Sequence, residues 1–388
     1  MLEETTPEPV GHAGLRDPSD RRSEWSAGAR VALQAWVVAR VIVLAALGFS
    51  RYIADHIGTL RPISAQAVHQ GLFSWDAAWY SDIATKGYSH LPQEALRFFP
   101  GLPIASRVVG NVVGDRFALA AISNLAALVA GILLYQLIRF EGRDARLAER
   151  AVWFLALAPP AFVFVMGYTD STTVALAIAT MYALRTRRWG WAFVAAFVAG
   201  LCRPTAFLLA VPAAVEALRD IRDVSWAQRA QRVVAVVAAP LGTLTYLLWV
   251  RSQYDSLFLP FRVQTVARLR GEFANPFTTL YDAAKGIFHE HVGTALHVPW
   301  FLLLVVLTVV VFRRWPLAYG AFAAVVVASS VTSSNLDSLE RYALLAFPLV
   351  IAAAELTKPE RVERVVFILV PVAMFGYATL AFLGLIGP

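Results

Sequence analysis

The sequence predicts an all-helical membrane protein that crosses the bilayer many times. Only 16% of its 388 residues are charged, 58% are hydrophobic, and the mean hydropathy is +0.58. A soluble domain carries roughly 25% charged residues and about half apolar ones. Long apolar runs recur from residue 32 to the C-terminal end, and clusters of arginine separate them at regular intervals. These three observations predict a polytopic all-α protein.

A spanning helix needs about 20 mostly apolar residues, and about eleven runs of this sequence are candidates. They lie near 32–52, 117–138, 151–167, 171–184, 190–202, 204–218, 233–250, 298–312, 317–332, 342–357 and 365–385. Several are shorter than a full span. The two pairs between residues 151 and 218 could be short helices, re-entrant hairpins or spans extended into their loops.

Basic residues occupy every second loop between these runs. The five basic loops carry Arg139, Arg143, Arg146 and Arg150; Arg185, Arg187 and Arg188; Arg219, Arg222, Arg229 and Arg232; Arg313 and Arg314; and Lys358, Arg361 and Arg364. Loops of this kind face the cytoplasm under the positive-inside rule. The N-terminus is then cytoplasmic as well, whereas the long loops near 53–116 and 251–297 face outward.

The first 30 residues are polar and contain prolines and arginines. They lack the apolar core and the small-residue cleavage site of a signal peptide. We predict that residues 1–30 form a disordered cytoplasmic tail and that residues 31–388 form one transmembrane domain. The formal charge of +7 would suit nucleic acid, but most arginines flank apolar runs. We therefore predict contact with membrane lipids and no nucleic-acid partner.

The first outward loop contains an acidic and aromatic stretch from Trp75 to Tyr88. If this stretch is helical, Asp76, Trp79 and Tyr80 share one face, because residues three and four apart are neighbours on a helix. An aspartate at the boundary between water and lipid can take up a proton. We therefore interpret this extracytoplasmic loop as the place of a reaction fed from the membrane.

Trp75, Trp79 and Tyr80 could hold a sugar or a lipid head group at this depth, with Asp82 beside them. The alternative interpretation gives the stretch no chemical role. Asp76 would then only complement the dipole of a helix, and the aromatic rings would form an ordinary interfacial belt.

Two charged residues stand between short apolar runs further along the chain. Asp170 should face water, a partner or a cavity, because an acid that faces lipid is costly; it could also cap the helix that starts at Ser171. Arg203 interrupts an apolar run just before Pro204. Its guanidinium suits a phosphate, and the alternative is an ion pair with a buried acid such as Asp170.

Two further arginines are candidates for an anionic head group. Arg341 precedes the apolar run that starts at Tyr342, and Arg97 precedes the segment Phe98-Phe99-Pro100. Arg341 could instead pair with Glu340 or Asp337, or extend to the membrane surface. Arg97 could be a solvated loop cation.

The sequence shows no apparatus for a metal or a nucleotide. His289 and His291 are two residues apart rather than at the helical spacing of a zinc site. A phosphate-binding glycine loop, a dinucleotide fingerprint and a nucleophile elbow are all missing from the sequence. We predict no metal and no cofactor.

Four elements of the sequence, taken in order, resemble the PIG-V family, which includes the second mannosyltransferase of GPI-anchor synthesis and bacterial relatives. They are Trp75-Asp76 with Trp79-Tyr80, Gly87-Tyr88 and Phe98-Phe99-Pro100; Tyr168-Thr169-Asp170-Ser171; Arg203-Pro204-Thr205; and Ser338 with Arg341-Tyr342 and Phe347-Pro348. The resemblance implies a membrane glycosyltransferase of the GT-C class in the plasma membrane. Such an enzyme takes a sugar from a polyprenyl phosphate on the outer face and uses an acid of the first outward loop as base.

The resemblance leads us to expect an inverting transfer of mannose with Asp76 as the general base. Arg203, Arg341 and Arg97, in that order, are the candidates for binding the donor phosphate. Asp82 and Asp170 could orient the sugar hydroxyls, and the aromatic residues at the substrate would include Tyr168 and Tyr342. The acceptor could be a glycolipid, a glycan or a protein.

Two other functions stay open on the sequence alone. A transporter or flippase would need ionisable residues near the middle of the membrane, whereas the acids of this chain gather at one face. A non-catalytic scaffold of a lipoglycan-assembly complex would tolerate the loss of these acids.

Overall fold

The computed structural model describes residues 18–56, 65–266, 270–285 and 297–387. These residues form 17 α-helices and several short 3₁₀ segments. The only β-structure among them is an isolated bridge between Phe273 and Ser333. The prediction of an all-α fold is confirmed.

The first eight helices include the first outward loop, the first predicted hairpin and the first half of the second. They are α1 (Pro18–His56), α2 (Ala65–Gln70), α3 (Asp76–Lys86), α4 (Gly101–Val113), α5 (Asp115–Phe140), α6 (Ala145–Leu157), α7 (Asp170–Arg185) and α8 (Trp189–Cys202). A 3₁₀ segment, Pro159–Phe164, follows α6, because the two prolines at its start end the helix there.

The remaining nine helices follow a second 3₁₀ segment, Pro204–Leu209. They are α9 (Ala210–Leu218), α10 (Trp226–Tyr254), α11 (Leu259–Arg262), α12 (Pro276–Lys285), α13 (His297–Arg314), α14 (Leu317–Ser330), α15 (Leu339–Ala343), α16 (Pro348–Leu356) and α17 (Glu360–Phe382).

Five helices, α1, α5, α10, α13 and α17, are long and apolar enough to cross a membrane. The other predicted spans correspond to shorter helices of 9 to 16 residues. The chain is therefore a multi-pass membrane protein by the length and composition of its helices. The total of eleven spans stays a prediction.

The first helix begins at Pro18, so residues 18–30 of the predicted disordered tail are helical instead. Contacts with α5 hold this part of the helix: Arg139 forms an ion pair of 2.8 Å with Glu24, and the Gln136 side chain donates to the Glu24 carbonyl. The sequence pattern missed these contacts because they join residues more than a hundred positions apart. Residues 1–17 lie outside the described part.

The basic loops meet at one end of the helix bundle. Arg185 binds the carboxylates of Glu141 at 2.6 Å and Glu216 at 2.8 Å, which joins three of these loops. Arg150 forms an ion pair of 3.3 Å with Glu363, which connects the basic loop at residues 358–364 to the others. Since Asp170 begins α7 and Arg185 ends it, the acidic segments lie at the opposite end.

Two glycines set the distance between α8 and α10. A Cβ atom on Gly200 would lie 2.2 Å from the Ala239 carbonyl oxygen, and one on Gly242 would lie 2.1 Å from the Phe197 carbonyl oxygen. These distances are too short for any side chain, so the two backbones touch. This packing fixes the end of α8, where Arg203 follows.

We expect Gly200→Ala to lower the melting temperature of the purified protein, because the added methyl group forces α8 and α10 apart. Overpacking of this kind costs about 1–3 kcal/mol. Gly190→Ala is the matched control on the same helix, since nothing lies within 4 Å of its Cβ position. Equal melting temperatures for the two variants would show that this crossing is not tight.

Candidate active site

Four charged side chains from distant segments meet at the end of the bundle opposite the basic loops. Asp76 is the first residue of α3, Asp170 is the first residue of α7, Arg203 directly follows α8, and Arg341 lies on α15. Three of the four are almost fully buried: 8% of the side chain is exposed for each arginine and 2% for Asp170. We call these four residues the charged cluster.

The backbone around Asp76 is held from two sides. Trp75 has a positive φ of 58°, which is a rare conformation for a bulky residue. Its indole Nε1 donates to the Ala381 carbonyl on α17 at 3.0 Å, and the Asp76 amide donates to the Tyr168 hydroxyl at 3.2 Å. These two hydrogen bonds hold the backbone of Trp75 in its positive-φ conformation, and the Asp76 side chain lies against Arg341.

The Asp76 carboxylate accepts a hydrogen bond from Arg341 Nη2 at 2.6 Å. Its side chain is 21% exposed, and it is the most accessible member of the charged cluster. The helical reading of the motif is confirmed, because α3 starts at Asp76 and buries Tyr80 and Ile83 on one face. A carboxylate that is both oriented and reachable can accept a proton from a bound molecule.

Asp170 serves as the internal partner of both arginines. Its carboxylate forms an ion pair with Arg203 and lies 3.5 Å from Arg341 Nε. Thr169, not Asp170, is the N-cap residue of α7, and its side chain makes no capping bond. The interpretation of Asp170 as a cap is therefore wrong, and the alternative ion pair with Arg203 is confirmed.

Arg341 remains positively charged in this buried place. Burial disfavours the charged form, but Asp76 and Asp170 outweigh it and hold the pKa of Arg341 well above its usual range. Both of these partners lie far from it in the chain. Arg341 forms ion pairs with these two aspartates, whereas the sequence interpretation had considered Glu340 and Asp337.

Three guanidinium groups surround the ring of Tyr342. The central carbon of Arg203 lies 4.9 Å from the ring centroid, that of Arg341 lies 5.3 Å away, and that of Arg270 lies 4.2 Å away. Arg341 also lies 5.1 Å from the ring of the fully buried Tyr168. Cation–π contacts of this kind orient the guanidinium planes.

Arg270 belongs to this site although the sequence pattern did not indicate it. The second outward loop reaches the site through backbone hydrogen bonds, from Asn335 to the Arg270 carbonyl at 3.1 Å and from Ser334 to the Glu272 carbonyl at 3.0 Å. Burial lowers the pKa of Arg270, the nearby Tyr342 raises it, and the positive charges of Arg203 and Arg341 lower it further. Nothing in the residues around position 270 signals this pairing of loops.

Three arginines, Arg203, Arg270 and Arg341, surround the Tyr342 ring, whereas the ion pairs described above bring two carboxylates, Asp76 and Asp170, to this place. Within the described residues, Arg203 Nη2 and Arg270 Nε are buried without a hydrogen-bond partner. A buried donor left unpaired costs about 1–3 kcal/mol, and more when it is charged. The arrangement is therefore suited to bind an anion.

The other predicted residues lie around α3. Tyr80 is buried near the charged cluster, and burial together with the neighbouring Asp76 and Asp170 raises the pKa of its phenol. Trp79 stacks on the Phe98 ring at 5.7 Å, and the Arg97 guanidinium lies 4.6 Å from that same ring. Arg97 thus packs against aromatic rings instead of being a solvated loop cation.

Asp82 lies on the same helix as Asp76 but pairs with a different residue. It forms an ion pair of 3.1 Å with Lys86, one turn further along α3, and both side chains are substantially exposed. The structure does not bring it into the ion pairs of the charged cluster. His289 and His291 lie outside the described residues.

The model of the mannosyltransferase (PIG-V) family matches residues 63–258, just over half of the chain. The matched part contains Asp76, Asp170 and Arg203, whereas Arg270 and Arg341 lie beyond it. A search of curated proteins gave no match.

A solved structure shows the same fold at low sequence identity. ArnT from Cupriavidus metallidurans, bound to undecaprenyl phosphate, is 16% identical, with 87% of this chain and 62% of that chain covered and a TM-score of 0.51. The oligosaccharyltransferase of Archaeoglobus fulgidus, tethered with an acceptor peptide, is 12% identical, with 90% and 55% covered and a TM-score of 0.44. The chain thus spans less than two thirds of the length of either protein. The likeness to ArnT shows the GT-C fold.

Proposed function

We propose that this chain, which belongs to the mannosyltransferase (PIG-V) family and has the GT-C fold, is a membrane glycosyltransferase that transfers mannose from a polyprenyl-phosphate donor to an extracytoplasmic acceptor. The observation that carries this proposal is the geometry of Asp76. It is a reachable carboxylate, 2.6 Å from Arg341, at the edge of a site with three arginines.

The donor phosphate would bind at the arginines around Tyr342. Guanidinium groups match the oxygens of a phosphate in shape and charge, and the buried donors of Arg203 and Arg270 lack other partners in the described part of the chain. The undecaprenyl phosphate bound to ArnT, a protein of the same fold, supports a lipid phosphate as the donor class. The phosphate would complete the charge balance of the site.

The chemistry then needs one proton acceptor and one stabilised leaving group. The acceptor hydroxyl attacks the anomeric carbon, its proton passes to Asp76, and the bond from that carbon to the phosphate oxygen breaks. Attack opposite the leaving phosphate inverts the anomeric configuration. Arg203 and Arg270 stabilise the negative charge that develops on the phosphate, while Arg341 orients Asp76.

The distribution of basic loops supports an orientation in the plasma membrane. The five loops and the N-terminal end of α1 lie at one end of the bundle, through contacts such as Arg139 with Glu24 and Arg185 with Glu141. The positive-inside rule places this end in the cytoplasm, so the charged cluster faces the extracytoplasmic side.

The direct test is sugar transfer by the full chain in proteoliposomes that contain labelled polyprenyl-phosphate mannose and an extract of native membrane acceptors. We expect label in a product with a new glycosidic bond. Label that crosses the bilayer without such a bond would indicate a flippase. A folded protein that does neither, across several donor sugars, would indicate a scaffold.

Replacing Arg270 tests the phosphate site. We expect Arg270→Gln to raise the KM for the donor by about tenfold or more, since a hydrogen bond to a charged group contributes about 1.5–3 kcal/mol. Arg262→Gln is the matched control, because Arg262 is an exposed arginine of the same outward loop. An equal donor KM for both variants would remove Arg270 from the phosphate site.

A further inference from the structure

A cavity of about 600 Å³ lies beside the charged cluster, where α13, α15 and α17 meet. Its polar lining consists of His297, Asp337, Glu340 and Tyr377, and Trp300 forms part of its wall. None of these residues has a role in the transfer described above. We call this space the head cavity.

An apolar groove of about 350 Å³ continues from the head cavity between α13, α16 and α17. The two spaces share Trp300, Leu303 and Glu340 as lining residues. Away from this junction, the groove is lined almost entirely by aliphatic side chains such as Leu307, Leu349 and Val366. We call it the chain groove, because its lining resembles that of hydrocarbon-binding sites.

The polar end of this continuous space carries two carboxylates and the imidazole of His297. Glu340, which is 3% exposed, accepts hydrogen bonds from the Tyr377 hydroxyl at 3.3 Å and pairs with His297 Nδ1 at 2.6 Å. His297 Nε2 also lies 3.8 Å from Asp337, and that carboxylate is more than half exposed. Two carboxylates repel a phosphate but accept hydrogen bonds from hydroxyl groups.

Carboxylates outnumber basic groups in the head cavity, whereas arginines outnumber carboxylates around Tyr342. Glu340 and Arg341 are consecutive residues, yet Glu340 lines the head cavity and Arg341 pairs with Asp76. One short helix therefore separates a site suited to an anion from a site suited to a neutral polyol.

The head cavity also lies close to the proposed base. Tyr377 and Leu380 of α17 line it, and the carbonyl of the next residue, Ala381, accepts the hydrogen bond from Trp75. Trp75 directly precedes Asp76. The head cavity and the residue that precedes Asp76 therefore contact the same turn of α17.

We propose that the head cavity and the chain groove bind the acceptor, and that this acceptor is a glycolipid with an uncharged, hydroxyl-rich head. The head would bind through hydroxyl groups to Asp337 and Glu340, with the rings of Trp300 and Tyr377 against the sugar. Its hydrocarbon chains would occupy the chain groove. The inference deepens the proposed function, since it assigns the second substrate of that reaction.

The test is photo-crosslinking of the full chain in nanodiscs, with peptides mapped by mass spectrometry. One probe is a diacylglycerol hexoside with a diazirine in one acyl chain, and the other is a diazirine-bearing polyprenyl phosphate. We expect the neutral glycolipid to label α13, α16 or α17. Leu303→Trp fills the junction of the two spaces and should lower this labelling about tenfold, a loss of about 1.4 kcal/mol, while labelling by the phosphate probe is unchanged.

Leu302→Trp is the matched control, because Leu302 is 58% exposed on the same helix and lines neither space. It should leave the labelling by both probes as in the wild type. Labelling outside these helices, or an equal loss for both probes in Leu303→Trp, would overturn the assignment. Binding is measured without turnover, so a failure of mannose transfer alone would contradict the proposed function and leave this result standing.

Discussion

Asp76→Asn is expected to lower kcat for mannose transfer by about 10²–10⁴-fold, the usual contribution of a positioned general base. Asparagine has the size of aspartate, and its amide oxygen can still accept the hydrogen bond that Arg341 donates at 2.6 Å. It cannot take up the proton of the acceptor hydroxyl. The backbone contacts of Trp75 and Asp76 are unaffected by the change, so the protein should fold normally.

The kinetic constants separate a base from a residue that only holds the substrate. Loss of one negative charge beside three arginines should leave donor binding unchanged or make it tighter, so the KM for the donor should not rise. Asp255→Asn is the control, because Asp255 is an exposed carboxylate with a positive φ, a conformation that asparagine adopts readily. Full transfer by Asp76→Asn would remove Asp76 from the role of base.

Local sequence patterns were sufficient to predict which residues share a face with Asp76 if its segment is helical. The spacing of Asp76, Trp79 and Tyr80 indicated one helical face, and α3 begins at Asp76. The break after α8 was also predictable, because proline at position 204 cannot continue a helix. Arg203 was therefore recognised as a cation held at a helix end, with Asp170 as one of its two candidate partners.

The partner of Asp76 could not be predicted in the same way. Asp76 and Arg341 are 265 positions apart, and their contact depends on how α3 and α15 pack. Arg270 was missed for the same reason, since it reaches Tyr342 through backbone bonds between two loops. The periodicity of apolar residues in the sequence indicates which face of a helix is apolar, but it does not indicate which loops contact each other in the fold.

The positive-inside rule predicted one face for the basic loops, and the structure adds a physical role for some of their charges. Arg185 is mostly buried and holds Glu141 and Glu216, whose side chains are each 8% exposed. Such an arginine connects loops as well as setting orientation. The sequence pattern could not separate it from the exposed Arg187 two residues later.

Arg341→Gln is expected to lower both the stability of the protein and the rate of transfer. The wild-type guanidinium lies 2.6 Å from Asp76 and 3.5 Å from Asp170. Its loss removes a cation from both carboxylates, and of the ion pairs described above only that of Asp170 with Arg203 is left. Removal of one partner from a buried ion pair costs about 3–5 kcal/mol. The loss of an orienting charged group should lower kcat by about 10²–10³-fold.

A second substitution separates these two effects. Without the guanidinium of Arg341, the carboxylates of Asp76 and Asp170 repel each other with one fewer cation between them. Asp170→Asn added to Arg341→Gln removes the repulsion between the two carboxylates, although Arg203 loses its partner, and should restore part of the melting temperature but not kcat. Recovery of both the melting temperature and kcat in the double variant would mean that Arg341 acts only on stability. If Arg341→Gln alone lowered neither quantity, its contact with Asp76 would not be used.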